Sequence, residues 1–523
     1  MKEKINLFFS KLKGLSGKYY KSKFMLIVLG ISSTVWFLVR VIPKPQRATY
    51  PCMRVAAPLM STFVIYLLTL SGSALAFKKA KEHFRNAKYV YALTFFLIAS
   101  VSAFLFLTKS SDEVHASTID KISVMSNSPI GVEHGIFPGR VVWVFDPQVA
   151  KWDGSNKYWW DEKSTSQIEA DKMLTNVLTS LTGKKSEANA WDALFRNFNE
   201  TKNRGKNGYA SNQKIAVKIN QNNTLRHADT TGLNASPQLV YALIRSLTKE
   251  AGVPQKNITI FDASRFITDN IFNKCHKDFP EVIFIDNEGG EGRTKSTYVD
   301  NAIPYSVNNG KLATGLATCA VEADYIIDMA LLKGHVGQGV TLCGKNFYGA
   351  TSIDHNWRKN AHNNFEQDRQ GKDKYMTFTD FLGHKDLGGK TFLFMIDGFY
   401  SARSQDGPPL IKDKWRMAPF NNRWCSSLFA SQDGVALDAV GIDFLRSEWP
   451  DLADIAYTEK YLVEAALAND PPSKTIYDPE RDGTRLKSLG VMEHWNNAVD
   501  KKYSRNLGKN YGIELFYVPI NSR

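Results

Sequence analysis

Between Lys333 and Gly349 the chain reads Lys-Gly-His-Val-Gly-Gln-Gly-Val-Thr-Leu-Cys-Gly-Lys-Asn-Phe-Tyr-Gly, the densest grouping of chemically able residues in the sequence. Its five glycines let backbone amides come close to a ligand, and Lys333 and Lys345 add positive charge. His335 can move a proton or ligate a metal near neutral pH. A small anionic group is the partner such a segment suits. Gly339 to Asn346 also follows the G-x-x-x-x-G-K pattern of a phosphate-binding loop. Asn346 stands where Ser or Thr would hold magnesium, which argues against nucleotide hydrolysis.

Two further histidines, His355 beside Asp354 and His362, follow closely and with His335 could make a metal site of His and carboxylate ligands. Their spacing matches no specific ligand pattern, and Asn356 to Gln370 reads as an exposed polar loop. The five cysteines, Cys52, Cys275, Cys319, Cys343 and Cys425, contain no C-x-x-C pair, so no spacing for an iron–sulfur cluster, a zinc ribbon or a redox dithiol exists. No G-x-S-x-G elbow of a serine hydrolase occurs either.

The elements that must position these residues alternate between strand and helix. Ile215 to Asn220 reads as a strand, Pro237 opens a helix capped by Ser236 with an apolar stripe at Leu239, Val240, Leu243, Ile244 and Leu247, and Ile258 to Phe261 reads as the next strand. Strand, helix and strand with short joints make a βαβ unit and therefore a parallel sheet. Apolar runs recur at 141–145, 282–285, 325–332, 392–396 and 515–518, with helices expected at 164–181 and 435–449. The expected fold is α/β, an open, mostly parallel sheet covered by helices on both faces.

In such a sheet ligands bind beyond the carboxyl ends of the strands. The residues expected there are Lys218, Asn220 and Asn222, then Asp262, Ser264 and Arg265, then Asp286, then Lys333 and His335, then Asp397. Each taken singly is more simply a turn or cap former; their recurrence at successive strand ends is the stronger signal. Lys218 stands apart, because a lysine inside a sheet covered on both sides needs an anion or a carboxylate partner, and Asp262 could supply it.

Charge divides the chain. Residues 1–108 hold sixteen of the 66 bases and only two of the 52 acids, so the remainder carries fifty of each and the net charge of +14 belongs to the amino-terminal end. Three stretches there, at about 24–42, 55–77 and 89–107, approach the roughly 20 apolar residues a spanning helix needs. Bases crowd the tail before the first stretch and the connection between the second and third, which predicts a cytoplasmic amino terminus and a chain that is extracytoplasmic after residue 108. The expected organisation is a three-helix anchor at 1–108, a linker at 109–127 and a periplasmic or extracellular α/β domain at 128–523. The expected partner of the basic end is thus a lipid bilayer, with no nucleic acid.

Taken in order, five segments resemble the domain-of-unknown-function family 362. They are Val217-Lys218-Ile219-Asn220; Ala235-Ser236-Pro237-Gln238-Leu239-Val240; Asp324-Tyr325-Ile326-Ile327 leading to Leu332-Lys333-Gly334-His335; Gly339-Val340-Thr341-Leu342 with Gly344-Lys345-Asn346-Phe347-Tyr348-Gly349; and Asp433-Gly434-Val435-Ala436-Leu437-Asp438. The resemblance covers about residues 214–445. It implies no settled activity; some members carry an adjoining ferredoxin-like module, whose C-x-x-C-x-x-C run this chain lacks.

The residues themselves suggest an enzyme acting on a small anionic or phosphorylated substrate. Lys218, Lys333 and Lys345 would hold the anion, with Asn220, Gly339, Thr341 and Asn346 as further ligand contacts. His335 would serve as acid or base, with Lys333 beside it, and Asp262 would orient one of these groups. The alternative is a non-catalytic ligand-binding or envelope-assembly protein using the same residues.

Overall fold

A computed structural model describes residues 125–520 except 156–157, 223, 308–309, 336–338, 353–374, 404–406 and 453–454, together with Lys79 and Asn86. The chain divides into a unit Met1–Asp120 and a unit Lys121–Arg523, and the described elements belong to the second. The three apolar stretches expected to span a membrane lie outside the described residues. Among the described residues no helix is long and apolar enough to cross a membrane.

The first strand of the main sheet, β1 (Arg140–Phe145), shows why these residues pair. Alternation sends Val141, Trp143 and Phe145 into one buried cluster and Val142 and Val144 into the other. A strand with both faces apolar is stable only between two layers. Helices α1 (Gln167–Thr182) and α2 (Glu187–Thr201) follow. Next come β2 (Ile215–Ile219), α3 (Pro237–Lys249), β3 (Ile258–Asp262), α4 (Asp269–Asp278), β4 (Ile283–Asp286) and β5 (Thr294–Lys295). In α3 the stripe Leu239, Val240, Leu243, Ile244 and Leu247 is fully enclosed, each side chain contributing about 1.5–3 kcal/mol of burial. A separate hairpin, Tyr298–Pro304 with Ala313–Ala317, leads to the long strand β6 (Tyr325–His335). Then follow β7 (Gly339–Val340), the single turn α5 (Cys343–Asn346), β8 (Thr391–Ala402), β9 (Ser427–Ser431), α6 (Gly434–Glu448), α7 (Ile455–Ala466) and β10 (Glu514–Pro519).

The sheet has ten strands in the order β10-β1-β9-β8-β6-β2-β3-β4-β5, with β7 paired to β6. All run in one direction except β9, which is antiparallel to both neighbours, and the short β7. Helices α1 to α4 belong with the cluster on one face; α6, α7 and the segment after β7 belong with the other. The mixed α/β class and the mostly parallel sheet agree with expectation. The sequence did not signal β9, because Ser427 and Ser431 frame only three apolar residues, nor α2, whose stripe Ala190, Trp191, Leu194, Phe195 and Phe198 is interrupted by charges.

Two strands run well past their expected ends, and one of them is β8, expected to stop at Ile396 and continuing to Ala402. β6 was expected to end at Leu332 and runs on to His335, since β8 continues alongside to Ala402, opposite Lys333, and β7 returns to pair Gly339 with His335. Those partners satisfy backbone groups that would otherwise end the strand. Ser126, within the expected linker, forms an isolated bridge with His494.

A buried charge cluster ties the carboxyl-terminal segment to α6 and α7. His494 Nδ1 lies 2.7 Å from Asp443 Oδ1 and its Nε2 lies 3.2 Å from Glu459 Oε1, while Tyr503 donates to Asp443 at 2.8 Å. Burial alone would keep the imidazole neutral, yet the two carboxylates outweigh it and push its pKa up to about 9. With an unfolded value near 6.5, this contribution to stability is complete below about pH 6.5 and is lost as pH rises through about 9. Thermal unfolding should therefore show a fall in Tm between pH 7 and 10 that His494→Gln removes. An unchanged slope in the variant would refute the assignment.

Candidate functional site

Because every strand but β9 and β7 runs one way, the carboxyl ends of β2, β3, β4, β6 and β8 share one edge. Lys218 sits one residue before the end of β2, beside Asp328 of β6, and Asp262 ends β3. The even-numbered residues of β2 and β6 face the cluster that also holds Cys343, Phe347, Tyr348 and Ala350. The glycine-rich segment therefore packs directly on Lys218.

Lys218 is wholly buried, and its ammonium donates to Ile219 O at 2.6 Å, to Asn346 Oδ1 at 3.0 Å and to Asp262 Oδ2 at 3.2 Å. Asp262 completes its shell with the Gln221 amide at 2.9 Å and with the amide and hydroxyl of Ser264. Burying an ion is tolerable only with this degree of pairing. Asn346 is the hub: its oxygen also accepts from Asn220 Nδ2 at 3.0 Å, and its Nδ2 donates to Asp328 Oδ1 at 2.6 Å. The residue that breaks the phosphate-loop pattern is thus the one that bolts the segment down. At Gly349 an added Cβ would stand 2.8 Å from Lys218 Nζ and 3.0 Å from Asp262 Oδ1, so the backbone approaches the ion pair more closely than a side chain would allow.

A further carboxylate fixes the start of the turn that Asn346 ends. Asp438 of α6 accepts from the amides of Cys343 and Gly344, both at 2.8 Å, and from Tyr461 of α7 at 2.6 Å. Burial lifts its pKa to about 6, against the pull of those donors. Asp328 is driven well above the usual carboxylate range, chiefly by burial, with Asn346 and Lys218 opposing. Its Oδ2 has no hydrogen-bond partner among the described residues. Burial also raises the Cys343 thiol well above its ordinary value.

The other expected residues are placed as follows. Lys333 is fully buried within β6, opposite Ala402, and His335 is half-buried at the strand's last position. Gly339 holds a φ of +79°, a conformation that favours glycine. Lys345 is half-buried with its ammonium 4.7 Å from the Tyr348 ring centre, a cation–π contact. Thr341 Oγ1 and Asn220 Oδ1 are buried without a partner among the described residues. Asp286 serves its own turn, accepting from Ile267, Glu288 and Gly289 amides and contacting His227 at 2.8 Å. Asp397 receives the Ser236 amide at 2.7 Å and so holds the start of α3, where the Ser236 side chain makes no cap bond. His355, His362 and Asp354 lie outside the described residues. Among the described residues, no three His, Cys, Asp or Glu side chains are grouped to hold a metal.

Sequence reasoning missed Asp328, Asp438 and Tyr461. A signal for Asp328 was present: an acid inside the apolar run 325–332 demands a buried partner for the same reason that Lys218 does.

Fold and site together define an open α/β protein whose carboxyl edge is organised around a glycine-rich segment clamped by a buried lysine, two asparagines and three aspartates. The sequence model of DUF362, a domain of unknown function, matches residues 215–443, which contain that whole constellation except Tyr461. A comparison with curated proteins gives no match.

Proposed function

We propose that this is a membrane-anchored protein whose extracytoplasmic α/β domain binds a small anionic or phosphorylated substrate at the carboxyl edge and acts on it. The observation that carries the reading is the double clamp on the turn Cys343–Asn346 of the glycine-rich segment, from Asn346 to Lys218 and from Cys343 and Gly344 to Asp438. Such a clamp fixes backbone amides at the edge where ligands of this fold class bind. In this reading Lys345, with Gly339, Thr341 and Asn220, contacts the ligand, and His335 beside Lys333 exchanges the proton. Lys218, Asp262 and Asn346 hold the loop in place and keep the ion pair away from water.

A second reading, a non-catalytic binding or assembly protein, is favoured by one specific feature. Lys218 and Asp262 neutralise each other, so neither is poised to act on a substrate.

The test is to purify the full chain in detergent and examine it by native mass spectrometry and elemental analysis. An anionic or phosphorus-bearing compound is expected, and Lys345→Ala should weaken its binding by about 1–3 kcal/mol with little change in Tm, as for loss of one charge-assisted contact. A lower Tm with unchanged affinity would make Lys345 structural. If no anionic ligand can be found or added back, the substrate reading fails.

The anchor is tested separately. A reporter active only outside the cytoplasm should be active when fused after residue 115 and silent when fused near Lys81. The reverse pattern would overturn the orientation.

A further inference from the structure

The described fold begins at Met125, against the segment that precedes the last strand of the sheet. Asn127 donates from its side chain to Lys502 O at 3.0 Å and accepts from Lys509 Nζ at 3.3 Å. Around this entry point the surface is apolar and basic at once. Met125 is 71% exposed, Val499 85%, Leu507 48% and Tyr511 47%. Lys502 and Lys509 are exposed among them, Lys509 lies 5.4 Å from the Tyr511 ring centre, and Asp500 is the acid nearest in sequence to Lys502. Arg505 is turned inward to Gly512 O and Glu133. Isolated exposed apolar residues need no explanation, but four of them around two lysines, all gathered where the chain enters, do.

We propose that this entry patch is a docking surface for a bilayer containing anionic lipid, with Val499, Leu507 and Tyr511 entering the headgroup region and Lys502 and Lys509 pairing with lipid phosphates. The inference rests on the anchored reading above. Its occupant follows from the length of chain that lies between the third apolar stretch and Met125. About 17 residues at about 3.3–3.6 Å each allow a reach of at most about 60 Å. A bilayer holding the third apolar stretch would thus lie within reach of the entry patch. The composition fits that partner. Tyrosine and the lysine stems are amphipathic groups suited to the membrane–water boundary, and each base near an anionic surface adds about 1 kcal/mol. Leucine and valine add area that only an apolar phase accepts.

The test uses the full chain reconstituted into nanodiscs of phosphatidylcholine with or without phosphatidylglycerol, with hydrogen exchange followed across residues 497–511. Exchange there should slow several-fold in the anionic discs relative to the neutral ones, should recover at high salt, and should show no lipid difference in the double variant Lys502→Glu, Lys509→Glu. Equal exchange in both lipids overturns the docking surface, as does protection that survives charge reversal. Recovery of the chain with the discs is read independently. A chain that never associates with them removes the anchor and the docking surface together, whereas one that incorporates and shows no lipid dependence removes the docking surface alone.

Discussion

Lys218→Met should destabilise the α/β domain by about 3–5 kcal/mol, the effect of leaving one member of a buried ion pair without its counter-charge. Methionine fills most of the space of the lysine stem, so packing is nearly conserved and the loss is electrostatic. Asp262, 2% exposed, would keep its bonds to Gln221 and Ser264 but lose the only cation within bonding distance in the described structure. Asn346 would lose one of its two donors as well, loosening the clamp on Lys345 and Gly349. Denaturant unfolding of the wild type, of Lys218→Met, of Asp262→Asn and of the double variant forms a cycle that measures the coupling directly. The double variant should be more stable than Lys218→Met, because a neutral amide can remain buried where a lone carboxylate cannot. Simple additivity of the two changes would show that the pair is not coupled, and the scaffold role assigned to it would fall.

The second large effect concerns His335. At the tip of β6, half-buried and beyond the fully enclosed Lys333, it is the imidazole closest in sequence to the clamped turn Cys343–Asn346 among the described residues. Under the enzymatic reading His335→Ala should reduce kcat on the compound found by mass spectrometry by about 10²–10⁴-fold, the usual share of a positioned acid or base, while its affinity changes little. Under the binding reading neither wild type nor variant turns the compound over, and affinity is the only quantity that can move. Full activity in the variant would remove His335 from the chemistry and leave the enzymatic reading without a proton carrier.

The sequence determined the layout of the α/β part because the information lies in short-range periodicity. Alternation in β1, the helical stripe of α3 and the Pro237 start specify which face of each element is apolar, and a sheet with apolar residues on both faces has few ways to bury them. The need for a carboxylate beside Lys218 was legible for the same reason, since desolvating a lone ammonium is too unfavourable to persist. That Asp262 is the carboxylate, with its side chain shared among Lys218, Gln221 and Ser264, followed only once β2 and β3 lay side by side.

Tertiary structure alone decided the rest. The turn Cys343–Asn346 of the glycine-rich segment is held through Asn346 and by Asp438, residues 92 positions apart in number, and nothing local to either one announces that bond pattern. Asn346 was read from its neighbours as a departure from a phosphate-loop pattern and as a candidate ligand contact, whereas in the fold it joins Lys218, Asn220 and Asp328 at once. Likewise β9 carries too few apolar residues to be recognised, yet it bonds antiparallel strands on both sides because β1 and β8 leave their edges open to it. A hydrogen bond between distant residues depends on which elements become neighbours, and that choice is made by the burial of the whole sheet and not by any one stretch of chain.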